Sequence, residues 1–147
     1  MNTMLSQTAE YALMSVLYLA DHGHGRPVRV GVMARALGVP QNYLSKTCHA
    51  LVRSGVLASM RGPAGGFRLA GDPAQVTLLS VVAPFDRIGG RRQCLLGRPT
   101  CSDRRACPVH ESWKRAADQV ARFFRTTTIA DIALTAASAK SSSRRPG

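Results

Sequence analysis

Three cysteines and a histidine crowd into residues 94–110, CLLGRPTCSDRRACPVH, of a 147-residue chain that has one other cysteine. Cys94, Cys101, Cys107 and His110 follow the spacing C-x6-C-x5-C-x2-H, and the stretch has no helical or alternating apolar period. Thiolates and imidazole offer three kinds of chemistry: a bound metal or iron–sulfur cluster, a redox switch, or a catalytic thiol. Structural zinc sites usually pair two ligands in a tight C-x2-C knuckle, whereas here only Cys107 and His110 are close. An iron–sulfur cluster spreads its ligands around a larger inorganic core, and long gaps in a loop tolerate that. Arg87, Arg91, Arg92, Arg98, Arg104 and Arg105 would favour thiolates and offset an anionic cluster. A thiol enzyme would need a C-x-x-C pair, or a base held by an orienting third group, and the sequence predicts neither. A structural zinc stays open as the rival to a cluster. Cys48 stands apart: it shares helical spacing with Leu44, Leu51 and Val52 and is expected in the core.

No run of eighteen apolar residues is present, and MNTMLSQTAEYAL lacks the basic start and apolar stretch of a secretory signal. The expected location is therefore the cytoplasm, with no membrane partner and with thiols kept reduced. Twenty Lys and Arg against eight Asp and Glu give a net charge of +12. That excess is spread over both halves of the chain, so a whole surface is held positive, which favours a polyanion. Charge alone does not choose between DNA, RNA and an anionic lipid face.

The elements that position these groups read as mainly α with a small β-hairpin. LSQTAEYALMSVLYLA, residues 5–20, has a broad apolar stripe at helical spacing and is stopped by DHGHGRP, whose His22 and His24 are expected in a solvated turn. VGVMARALG is a short helix ended by Gly38, and PQNYLSKTCHALVRSG is a second one opened by Pro40 and ended by Gly55. Two short helices across a tight glycine turn make a helix-turn-helix, although plain helical bundles also contain such pairs. VLASM and GFRLA flank RGPAG and form a hairpin directly afterwards, as the wing of a winged helix-turn-helix would. Gln41, Asn42, Tyr43 and Ser45 at the start of the second helix could read base edges, Lys46 could reach a phosphate, and Arg61 is the wing contact. VTLLSVVAPFD is a further short helix. ESWKRAADQVARFFR has a strong period through Trp113, Ala116, Ala117, Val120, Phe123 and Phe124, and TTTIADIALTAA is a last helix with Thr128 as N-cap.

QTAEYAL, PQNYLSK, RGPAGGFRLA, VTLLSVV, the three loop cysteines and FFRTTTIADI together resemble the Rrf-two (BadM-type) family of bacterial transcription regulators, over about residues 5–135. The resemblance implies a winged helix-turn-helix plus a long dimerisation helix: a homodimer that binds double-stranded operator DNA and is not an enzyme. It implies that Cys94, Cys101 and Cys107 ligate a two-iron or four-iron cluster whose state alters DNA affinity. In the iron–sulfur-regulator type a histidine shortly after the third cysteine completes the set, and His110 holds that place. In the nitric-oxide-sensing type an acidic residue of helix one from the partner subunit does so, and Glu10 falls there. His110 is the favoured fourth ligand. Some family members lack a cluster. The expected organisation is a DNA-binding domain over 1–86, a cluster loop over 87–110, dimerisation and C-terminal helices over 111–137, and a disordered tail over 138–147.

Overall fold

The computed structural model describes residues 4–88, 104 and 108–133. In chain order these form α1 (Gln7–His22), α2 (Val30–Leu37), α3 (Gln41–Arg53), β1 (Leu57–Met60), β2 (Gly66–Leu69), a 3-10 turn (Pro73–Gln75), α4 (Leu78–Val82) and α5 (His110–Thr126). The mainly helical architecture with one antiparallel hairpin agrees with the sequence expectation.

Helix α1 starts where Ser6 accepts the Ala9 N–H at 3.2 Å, meeting one of the donors that a helix start leaves unpaired. It runs two residues past the expected stop, because Asp21 and His22 do not break a helix and Gly23 closes it by donating to the Leu19 carbonyl. Its stripe of Ala9, Ala12, Val16 and Leu19 is buried. Small alanines at this stripe let the neighbouring helices come close, and α1 packs on both α3 and α4. Gly38 takes φ +67 between α2 and α3, a left-handed turn that a side chain would strain. The turn drives Met33 and Ala34 of α2 against Leu44, Cys48 and Leu51 of α3, all in one core with Val81 and Val82 of α4. Each large aliphatic group in this core contributes about 2 kcal/mol of burial.

Helix α4 is shorter than the expected VTLLSVVAPFD. Thr77 caps it by accepting the Ser80 N–H at 3.1 Å, and Pro84 has no N–H to continue the ladder. A clip that the sequence did not announce ties this point to the far end of α5. Thr77 bridges Thr128, the Leu78 N–H donates to Thr127 at 2.9 Å, and the Ile129 N–H donates to Val76 at 2.8 Å. Thr128 caps the helical residues 129–133 as expected. Its hydroxyl accepts the Asp131 N–H, while Asp131 accepts the Thr128 N–H.

Candidate functional site

Helix α3 opens with Gln41, Asn42, Tyr43 and Lys46 exposed and Ser45 half-buried, while Leu44, Thr47, Cys48 and Leu51 face the core. The apolar half of the helix is thus consumed by packing, which leaves its polar N-terminal end outward. The first turn contains no acidic residue, so the positive end of the helix dipole is not offset there. Amides, a hydroxyl and an ammonium on that end are groups suited to duplex DNA.

Tyr43 is less free than its exposure suggests. Its hydroxyl pairs with that of Thr8, and its ring meets Tyr11 edge-on with centroids 5.5 Å apart. Tyr11 in turn accepts a hydrogen bond from the Gln7 side chain at 2.9 Å. Tyr43 therefore couples the starts of α1 and α3, a role that sequence spacing could not announce. His49 is also engaged, with its ring edge-on to Phe67 at 5.2 Å. This contact seats the wing against α3.

The wing pairs Leu57 with Leu69, Ala58 with Arg68, Ser59 with Phe67 and Met60 with Gly66. Arg61 follows β1 and is exposed on the turn that leads back to β2. Val28, just before α2, adds a single bridge on the other side of β2: it donates to Phe67 at 2.8 Å and accepts from it at 2.9 Å. A Cβ on Gly66 would lie 2.3 Å from the Val28 carbonyl oxygen, so only glycine permits this approach. The neighbouring Arg29 sends its guanidinium to the Pro63 carbonyl in the wing turn. Sequence reasoning missed Arg29, although a related signal was legible. Between His22 and Gly71 the chain carries Arg26, Arg29, Arg35, Lys46, Arg53, Arg61 and Arg68 with no Asp or Glu. The structure folds this uninterrupted cationic run into the helix-turn-helix and its wing.

Of the candidate ligands, Cys94, Cys101 and Cys107 lie outside the described residues. His110 is the first residue of α5 and is 3 % exposed. Glu10 is half-buried in the first turn of α1. Cys48 is fully buried as expected, and burial pushes its thiol up to about 11, partly offset by a hydrogen bond with Ser15. That is an inert core thiol rather than a nucleophile. Helix α5 buries only His110, Ala121 and Phe124, whereas Phe123 is 52 % exposed. Ala116, Gln119, Val120, Phe123 and Phe124 form one wall of a groove of about 500 Å³ whose other wall is Met4 and Leu5. No described helix is long and apolar enough to cross a membrane.

Comparison with known proteins places this arrangement. A transcriptional regulator from Aquifex aeolicus, described as HTH-type, is 35 % identical over 131 residues, spanning 88 % of this chain and 90 % of the relative. The HTH-type transcriptional regulator IscR of Vibrio campbellii is 27 % identical, spanning 87 % of this chain and 76 % of that protein. Among solved structures, CymR, the global cysteine regulator of B. subtilis, superposes with a TM-score of 0.77 at 21 % identity, covering 91 % of this chain and 98 % of CymR. IscR of T. potens superposes at 0.74 and 18 % identity, covering 99 % and 95 %. These two likenesses establish the fold. The family model described as "Iron-dependent Transcriptional regulator" matches residues 5–135. The chain therefore belongs to the Rrf2 family, and is a DNA-binding transcriptional regulator, not an enzyme, homologous to IscR.

Proposed function

We propose that the chain works as a homodimer on double-stranded operator DNA, and that an iron–sulfur cluster on Cys94, Cys101, Cys107 and His110 sets its affinity. The observation that carries the cluster reading is the placement of His110. The imidazole nearest in sequence to the cysteines is withdrawn from solvent at the head of α5, and the helix links it to the rest of the fold. Three thiols with one imidazole fit a cluster by their chemistry, and burial of one ligand limits water at the site. When bound, a cluster supplies a centre that responds to oxidant, nitric oxide or iron supply. The chain's own part is to hold it with three thiolates and His110, and to link the loop through α5 to the clip at Thr77 and Thr128. Glu10 of the partner subunit is the rival fourth ligand, favoured by its half-exposed place at the start of α1.

In this reading Gln41, Asn42, Tyr43 and Ser45 face base edges or the backbone, while Lys46 and Arg61 meet phosphates. The exposed Phe123 and the groove beside it support pairing of two copies through α5.

Anaerobic purification with visible absorption and with iron and sulfide analysis tests the cluster. Brown protein with near-stoichiometric sulfide is expected. Colourless protein that binds zinc and takes up no sulfide on reconstitution would make the loop a structural zinc site. His110→Ala should alter the visible spectrum while Glu10→Gln leaves it unchanged, and the reverse result would hand the fourth position to Glu10.

A further inference from the structure

A second cavity lies at the base of the wing, and its described lining includes no cysteine and none of the residues proposed to touch DNA. It measures about 330 Å³ and is lined by Leu19 and Ala20 of α1, the turn from Gly23 to Arg26, Arg68 and Leu69 of β2, and Ala70, Gly71 and Pro73. That volume lies at the lower end of the range for small-molecule pockets. Its floor is apolar, with Leu19 2 % exposed and Leu69 half-buried. Its cationic lining residues are Arg26, which is exposed, and Arg68, which is half-buried.

Among the described residues these two cations have no counter-charge: no carboxylate pairs with either. Asp21 and Asp72 flank the lining segments in sequence, but neither lines the cavity. Asp72 is turned into its own 3-10 turn, where it accepts the Ala74 N–H at 2.9 Å. Arg68 reaches only the Leu69 carbonyl, at a long 3.4 Å that a better acceptor would readily replace. The turn that carries Arg26 is tightly specified. Arg26 N–H donates to the Gly23 carbonyl at 2.8 Å, and His24 takes φ +47, the one described non-glycine residue with positive φ. Two forked cations beside an aliphatic floor match a ligand with an anionic head and a short apolar body.

We propose that this cavity binds a small organic carboxylate, held by Arg26 and Arg68 with its hydrocarbon portion on Leu19 and Leu69. A phosphate of the DNA backbone could satisfy the same two arginines, but it would leave the apolar floor unused. The site is an input separate from the cysteine loop. It adjoins the wing directly, because Arg68 neighbours Phe67, whose main chain pairs with Val28.

Titration of the full chain with pentanoate at constant ionic strength, followed by amide NMR, tests the proposal without DNA or cluster. Saturable shifts are expected at Gly23, Gly25 and Gly71, with pentanamide binding at least about tenfold more weakly for want of the charge. Arg26→Ala with Arg68→Ala should reduce pentanoate affinity by about tenfold or more. The spectrum of that variant reports at the same time that it is folded. Inorganic phosphate should bind more weakly than pentanoate. Equal binding of phosphate would make the site a phosphate-docking point and overturn the organic-ligand assignment. Absence of saturation, equal binding of pentanamide, or unchanged affinity in the folded double variant would overturn it too.

Discussion

Each of the first four helices turns at least one fully buried apolar side chain into a common core, from Ala9 on α1 to Val82 on α4. Helix α5 runs for 17 residues yet buries only His110, Ala121 and Phe124, and leaves Phe123 half in solvent. The helix-turn-helix and its supporting helices thus share one core within a single chain. The part that joins the cysteine loop to the body is held at its far end, by Phe124, Ile129 and the Thr77–Thr128 clip, and keeps apolar surface exposed. A reader that must present fixed groups to DNA benefits from a packed core. Under the proposed function, α5 would be completed by the cluster and by a second copy.

The largest expected effect tests that division directly. Leu51→Ala should cost about 3 kcal/mol of stability at any protein concentration, read from urea unfolding. Phe123→Ala should change the stability of an isolated chain by less than about 0.5 kcal/mol, yet weaken self-association in sedimentation. Equal and concentration-independent losses from both would erase the contrast.

A sharper cut lies within the reading half. Lys46→Ala combined with Arg61→Ala should weaken binding to a generic duplex by about tenfold or more, and flatten the log–log salt slope by about 2 units per site. Arg29→Ala should weaken binding by severalfold with its slope kept, because Arg29 acts by bracing the wing through Pro63. A slope reduced by about 1 would make Arg29 a phosphate contact instead.

Two smaller effects probe the ends of the comparison. Thr128→Ala removes a helix cap beside the clip and should cost about 1 kcal/mol of thermal stability. Cys48 tests the core from within. Its folded thiol is raised to about 11 from an ordinary 9.0, so the neutral form is favoured in the fold. As pH rises above 9 the unfolded chain ionises first and stability drops, until the folded thiol also ionises near 11. At pH 9.5 the loss is on the order of 1 kcal/mol. Cys48→Ala should remove that alkaline component, and an unchanged pH dependence would show that the thiol is not so shielded.

What the sequence announced, it announced locally. Gly38 between two periodic segments, the glycine-rich RGPAG between two β-prone runs, and the spacing of Cys48 with Leu44 and Leu51 each depend on neighbours within one or two turns. The contacts that escaped reading join distant residues through single points. Tyr43 meets Thr8 across 35 positions, and Arg29 meets Pro63 across 34. Val28 pairs with Phe67 as one isolated rung, and so does Thr77 with Thr128, too short in each case to leave an alternating pattern. Asp21 and His22 extended α1 because polarity alone does not end a helix. For the site itself, the polar start of α3 was legible as a surface, whereas the engagement of Tyr43 and His49 by neighbours required the tertiary fold.

The Gly66 contact has a consequence for how such regulators diversify. The wing is mounted on the body by main chain against main chain, at Val28 and Phe67, with no room for a side chain at Gly66. Main-chain bonding is indifferent to side-chain identity, so a lineage that keeps Gly62, Gly65 and Gly66 can exchange residues 61, 63 and 64 with little penalty to folding. If the wing turn touches operator DNA as proposed, substitutions there would retune DNA choice while the anchorage stays constant and the core needs no compensating change.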